Sequence, residues 1–232
     1  MRAGRRAALA AGVEVARDEK VEPFGDGWLI RHKKGFTPCP WAFDLARFTP
    51  ARPKDRVLDL GTGNGVLLSA MRQLYPDLGP ALGLEIAPRI ISQAHRNGLL
   101  AGQPDQPGYA VFQADIRALP LPPRAFDLVI SNPPFYPEGW GREGKHPEYA
   151  GATHALSGDI RHFAQAAAYA LSPRGQAVFV FDAGHLTALL LAFEGAGLTV
   201  KALRFLDDDR GRPARVLVQA GKGGAGVQVD RR

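Results

Sequence analysis

The chain has 232 residues, 45% of them apolar, and a formal net charge of +6. That length supports one full-sized core plus a modest extension. Its single cysteine, Cys39, excludes an internal disulfide and fits a reducing cytoplasm; no apolar run approaches the roughly 20 residues that span a bilayer; and the positive balance favours a polyanionic partner such as RNA or DNA.

Arg2, Arg5 and Arg6 precede Ala7–Ala11, which imitates the start of a signal peptide. The apolar part is short, and Glu14, Arg17, Asp18, Glu19 and Lys20 follow at once, so a cytoplasmic chain is expected. Residues 1–54 are expected to be a basic extension with a short hairpin and a helix. Within it, Trp28–His32 reads as a strand after Gly25–Gly27, and Lys33 and Lys34 form a basic turn suited to phosphate. Trp41, Leu45 and Phe48 fall at i, i+4 and i+7, one face of a short helix.

From Val57 the pattern alternates. Strands are expected at 57–60, 81–86, 109–113, 126–131 and 176–181, and helices at 66–74, 88–97, 159–171 and 186–194. Pro88 suits a first helical turn, and Gly98 is expected to stop that helix. Two final strands, 199–205 and 215–220, have no helix between them, so the last should run antiparallel to its neighbour. The fold class is therefore α/β: a seven-stranded, mostly parallel sheet with helices on both faces, over residues 55–220. The glycine-rich, charged tail, 221–232, is expected to be loose.

The polar residues at the carboxyl ends of these strands define a candidate site, since ligands of open α/β sheets bind there. The first strand ends in Asp59, followed by Gly61-Thr62-Gly63-Asn64-Gly65, a turn that lets the backbone bend sharply and approach a ligand closely. The second ends in Glu85-Ile86, about 20 residues beyond the turn, where an acid can accept both hydroxyls of a ribose. The third leads to Asp115-Ile116, where a carboxylate can accept from an exocyclic amine. Each acid has a plainer alternative, as a helix cap, a turn cap or a supporting hydrogen-bond partner. Together, acids at the ends of three successive strands point to a ligand. An acid beside the glycine turn repels pyrophosphate and suits the ammonium and sulfonium of S-adenosylmethionine, the expected cofactor. No metal is expected.

The fourth strand ends in Asn132-Pro133-Pro134-Phe135. The Asn132 side-chain oxygen and the Pro133 carbonyl can each accept one N–H of a planar amine. Prolines hold those acceptors in place, and Phe135 offers a stacking face. The plainer alternative is a rigid Pro-Pro turn. The loop from Phe135 to Ser157 carries Tyr136, Trp140, Arg142, Lys145 and His146, a mixture suited to an unstacked nucleotide.

Asp59-x-Gly61-x-Gly63-x-Gly65, Glu85, Asp115 and Asn132-Pro133-Pro134-Phe135 together resemble the class I S-adenosylmethionine-dependent amino-methyltransferases, which have a Rossmann-like sheet. More narrowly, with Lys33-Lys34-Gly35-Phe36, Ala152-Thr153-His154 and Arg215–Val218, the chain resembles the bacterial tRNA1(Val) adenine-37 N6-methyltransferases. The resemblance implies methyl transfer to an adenine N6 amine in tRNA. Asn132, Pro133, Pro134 and Phe135 would be catalytic, and Phe135, Tyr136, Trp140, Lys33 and Lys34 would contact substrate. Methylation of rRNA, at guanine N2 or adenine N6, methylation of a protein glutamine, and a silent RNA-binding module are the alternatives.

Overall fold

The computed structural model describes residues 3–34, 39–102, 107–133, 158–224 and 227–231. A short helix α1 (Ala3–Ala10) leads into an antiparallel hairpin of β1 (Glu19–Phe24) and β2 (Gly27–His32). Next come α2 (Ala42–Phe48), β3 (Val57–Leu60), α3 (Val66–Leu74), β4 (Ala81–Glu85), α4 (Pro88–Leu100), β5 (Ala110–Gln113) and β6 (Phe126–Ser131). The chain ends with α5 (Ile160–Ala170), β7 (Leu171–Asp182), α6 (Leu186–Gly195), β8 (Thr199–Asp207), β9 (Pro213–Gly221) and β10 (Gln228–Arg231).

The main sheet has the order β10-β8-β9-β7-β6-β3-β4-β5. Strands β3 to β7 pair in parallel, and β9 runs antiparallel to both β7 and β8, as the missing helix before it requires. The described residues give eight strands in this sheet, where the sequence suggested seven. The extra one, β10, pairs in parallel with β8 and lies within the segment expected to be a loose tail. Its pattern, Gln-Val-Asp-Arg, is too short and polar to announce a strand, and an open edge at β8 is what recruits it.

Alternate residues of each central strand face opposite layers. Leu58, Leu60, Val129, Phe179 and Phe181 pack with Phe163 and Phe193 from α5 and α6. Val57, Leu128, Ile130, Val178 and Val180 pack with Leu45, Leu68, Met71 and Ala94 from α2, α3 and α4. Both faces being covered explains why Val57–Leu60 is buried throughout rather than alternating with polar residues.

Helix α4 runs three residues past the expected end at Asn97, so Gly98 is no stop. A Cβ there would lie 2.7 Å from the Tyr109 carbonyl oxygen, and the Gly98 carbonyl accepts from Gly108 N–H at 2.8 Å. The glycine allows the chain entering β5 to approach the helix closely.

The hairpin sits against α4. Glu19, at the start of β1, accepts from Gln93 Nε2 at 2.8 Å and from Arg96 at 2.5 and 2.7 Å. At the other end of the hairpin, Gln73 in the last turn of α3 donates to Phe24 O and accepts from Asp26 N–H. Since α3 descends from the glycine turn, β2 climbs toward the carboxyl ends of the strands. It delivers Lys33 and Lys34 on that side of the sheet.

Candidate active site

The chain runs outward through β3, β4 and β5, then returns to β6 on the opposite side of β3. The strand order thus reverses between β3 and β6, which opens a crevice at their carboxyl ends. Leu60 pairs with Ser131, so the next residues, Gly61 and Asn132, start the two walls of that crevice. The Ser131 hydroxyl donates to Leu60 O at 2.7 Å and locks the two strand ends together.

Asp59 is completely buried beneath the turn. Its Oδ2 accepts from the Thr62 hydroxyl at 2.7 Å, while Oδ1 is buried with no hydrogen-bond partner among the described residues. Burial pushes its carboxyl up to about 7, with the Thr62 bond opposing and the Glu85 charge adding to the rise. Thr62 reaches this position because Gly83 on β4 leaves room: a Cβ there would lie 2.7 Å from the Thr62 side chain.

Gly61, Gly63 and Gly65 all have positive φ, 68°, 56° and 82°. Space differs among them. A Cβ on Gly65 would lie 2.2 Å from the Tyr109 hydroxyl, so Gly65 is pressed from below. Among the described residues, Gly63 has nothing within 4 Å of where a Cβ would lie, so on that side it is open. The turn is thus packed on one side and open toward the crevice.

Glu85 holds the turn from the β4 side. Its Oε2 accepts from Gly63 N–H at 2.9 Å, and its Oε1 accepts from the N–H groups of Ile86 and Ala87, each at 2.9 Å. A carboxylate has about four acceptor directions, so these bonds leave room for one more donor. Asp115 caps the 3-10 turn at Ile116–Ala118 and is bonded to Arg117 through both carboxylate oxygens, the shortest contact being 2.6 Å. The Arg117 bond holds its carboxyl below the usual carboxylate range. Ile116 is buried in the core on the α5 face.

Asn132 Oδ1 is the second buried side-chain oxygen without a partner among the described residues. Pro133, beside it, is buried. Pro134, Phe135, Tyr136, Trp140 and the rest of the aromatic and basic loop lie outside the described residues, as do Gly35 and Phe36. Lys33 and Lys34 are both exposed, and the Lys33 ammonium donates to Arg17 O. Arg212, at the β8–β9 turn, pairs with Asp208 at 2.9 Å, whereas Arg215 pairs with Asp182 at 2.9 Å at the carboxyl end of β7.

Three supports of the turn had no sequence signal strong enough to single them out. Tyr109 lies under Gly65 and shares a 3.0 Å hydrogen bond with the Ser69 hydroxyl. Burial raises the Tyr109 phenol far above its ordinary range, so it stays neutral. Asn97 donates to Asn64 O at 2.8 Å. Ser69 and Asn97 are single polar residues on the buried faces of α3 and α4, and Tyr109 stands just before β5, so no motif marks them in the sequence.

The two partnerless buried oxygens, Asp59 Oδ1 and Asn132 Oδ1, flank the crevice, and a buried acceptor without a donor is costly unless a ligand supplies one. A molecule that carries N–H groups or positive charge would satisfy both oxygens.

Comparison with known proteins places the chain in a family. A family model described as a methyltransferase domain matches residues 51–179. A tRNA1(Val) (adenine(37)-N6)-methyltransferase from Tolumonas auensis is 30% identical over 136 residues, which is 59% of this chain and 55% of that protein. One of the same name from Aeromonas salmonicida is 29% identical over 77% of this chain and 74% of its own length. Proteins named as ribosomal protein L11 and release factor glutamine methyltransferases also match, over 81 and 149 residues. The chain thus spans only about half of the first of these relatives. Among solved structures, a putative class I S-adenosylmethionine-dependent methyltransferase from Listeria monocytogenes superposes with a TM-score of 0.62 at 18% identity, covering 86% of this chain and 68% of that one. Such a likeness carries the fold; the family model, which spans more than half of the sequence, carries the membership. On that ground the chain belongs to the methyltransferase domain family.

Proposed function

We propose that this methyltransferase uses S-adenosylmethionine and methylates the exocyclic N6 amine of an adenine in tRNA, with adenine 37 of a valine tRNA as the first candidate. The observation that carries this reading is the pair of buried, partnerless oxygens on either side of the β3/β6 crevice. Asp59 matches a cationic ligand, and Asn132 matches an amine that must be held by its N–H bonds.

When bound, S-adenosylmethionine supplies an electrophilic methyl group on a sulfonium sulfur. The turn 61–65 would hold its amino-acid portion, with the Asp59 carboxylate as the nearest buried negative charge. Glu85 has one acceptor direction left for a ribose hydroxyl, and Asp115 and Ile116 would border the adenine. Asp115 reaches an amine only by sharing its carboxylate with Arg117.

An exocyclic aromatic amine is a poor nucleophile because its lone pair is delocalised into the ring. Asn132 Oδ1 and the Pro133 carbonyl would accept its two N–H bonds. Two fixed acceptors favour the positive character that grows on the nitrogen, and they need no reorganisation. Pro133 has no N–H and a fixed φ, which keeps this corner stiff. Orienting the amine supplies much of the acceleration, so no strong general base is needed. Pro134 and Phe135 are assigned to the catalytic corner with Asn132 and Pro133, and Phe135, Tyr136, Trp140, Lys33 and Lys34 to substrate contact, on the same reading. The relatives' names support an RNA acceptor, as does the positive net charge.

The test is transfer of a labelled methyl group from S-adenosylmethionine to total RNA and to a protein extract, followed by nucleoside and amino-acid analysis. N6-methyladenosine in the tRNA fraction is the expected product. Methylguanosine in rRNA, or label confined to protein glutamine, would overturn the assignment of the acceptor.

A further inference from the structure

Asn97 lies on α4 and is 1% exposed. A buried amide is tolerated only when its donors and acceptor are paired. Here the pairing spans three segments far apart in the sequence. Asn97 Oδ1 accepts from Ile30 N–H at 2.7 Å, and Nδ2 donates to Ile30 O at 2.9 Å. The other Nδ2 hydrogen goes to Asn64 O at 2.8 Å. One side chain thus replaces a neighbouring strand for β2 while gripping the crest of the glycine turn.

That grip complements the others on the turn. Glu85 holds Gly63 N–H, and Tyr109 presses on Gly65 from below. The Asn64 carbonyl is held from α4 by Asn97, the same side chain that docks β2. Core packing does not explain the choice of residue. Ala94, one turn earlier, fills the same layer as a plain apolar side chain, and an apolar residue at 97 would leave the Ile30 and Asn64 backbone groups without these bonds.

We infer that Asn97 is a positioning residue that makes the N-terminal hairpin a working part of the cofactor site, so that docking of β2 and occupancy of the glycine turn are coupled. The coupling rests on the S-adenosylmethionine reading given above. By linkage it is reciprocal: whatever orders the turn must also tighten the hairpin, and the hairpin must favour the ligand-ready turn. Since Lys33 and Lys34 directly follow β2, RNA that engages those lysines would be sensed at the cofactor turn.

The probe is S-adenosylhomocysteine, the demethylated product. Titration calorimetry on Asn97→Ala and the milder Asn97→Ser is compared with Glu19→Gln, which weakens the hairpin's ionic hold on α4 without touching the turn. Loss of the Asn64 bond should weaken binding by about five- to tenfold. Glu19→Gln should lower the melting temperature; because Asn97 still docks β2 against the turn in the folded variant, affinity should stay within about twofold of wild type. Equal affinity in Asn97→Ser and wild type, or losses that track melting temperature alike in all variants, would make Asn97 purely structural.

A second measurement needs no variant. Ile30 N–H is bonded to Asn97, so its hydrogen exchange reports that contact directly. Adding S-adenosylhomocysteine to the wild-type chain should slow its exchange, and an unchanged rate overturns the coupling. A wild-type chain that binds no S-adenosylhomocysteine would instead refute the cofactor assignment itself.

Discussion

Two buried oxygens at the strand ends, Asp59 Oδ1 and Asn132 Oδ1, have no hydrogen-bond partner among the described residues. Asn132 Oδ1 costs free energy as long as nothing donates to it, and the catalytic reading turns that cost into grip on an amine. Asn132→Ala is therefore expected to lower kcat by about a hundredfold or more while leaving cofactor affinity nearly unchanged. Steady-state turnover beside a calorimetric titration checks both halves. Asp59 sets a pH dependence. Its folded value, about 7, lies above the ordinary carboxylate value because burial disfavours the charge. A raised carboxyl stabilises the fold fully below about pH 4, and that contribution is lost as pH rises through 7. Asp59→Asn should therefore gain stability relative to wild type between those limits, on the order of a few kcal/mol. Denaturation at several pH values measures it. Binding of a cationic ligand needs the ionised form. Affinity for S-adenosylmethionine should thus climb as pH rises toward 7 and level off above it, and the Asn variant should lose that climb.

At the scale of elements, the site depends on how α3, β4 and the approach to β5 are tied together. Arg72, in the last turn of α3, donates to Leu78 O at 2.8 Å, to Gly79 O at 2.6 Å and to Gly108 O. One guanidinium thus pairs three loop carbonyls, two before β4 and one before β5. These loops lie at the opposite end of the sheet from the crevice. Arg72→Met should cost about 2–4 kcal/mol, since three partly buried carbonyls lose a charged donor. The midpoint of urea unfolding should fall without a change in slope. Turnover per folded molecule should stay the same, which separates this framework from the site.

Over the whole molecule, charge is balanced more locally than the net value suggests. Arg56, Arg96, Arg117, Arg204 and Arg212 are each paired with a carboxylate. Lys33 and Lys34 stand exposed on the crevice side with no carboxylate partner among the described residues, and they are the better candidates for phosphate. Replacing both with Ala should make the slope of log K against log salt for tRNA binding shallower by about 1.4. Affinity for S-adenosylhomocysteine should not move. Strand β10 is peripheral: Val227 and Val229 are exposed, and Asp230 is tethered to Arg204 at 3.0 Å. Removing residues 225–232 should lower the melting temperature by only a few degrees, about 1 kcal/mol or less, and leave turnover intact. Among the described residues no helix is long and apolar enough to cross a membrane.

The order of strands and helices from Val57 to Ala220 was legible in the sequence because each element announces itself locally. Apolar runs bounded by Gly and Pro mark the strands, and 3.6-residue spacing marks the helices. The positions of Asp59, Glu85 and Asn132 were legible for the same reason, since a residue at the end of a strand is at the end of the sheet. What each one touches was not. Only the tertiary structure gave Glu85 to three backbone N–H groups, bound Asp115 to Arg117, and left Asp59 Oδ1 and Asn132 Oδ1 without partners. It alone paired Asn97 with Ile30 and Asn64, 67 and 33 residues away, and recruited Gln228–Arg231 to the edge at β8. Periodicity is a property of neighbours along the chain, whereas hydrogen-bond partners and open sheet edges exist only once distant segments have packed.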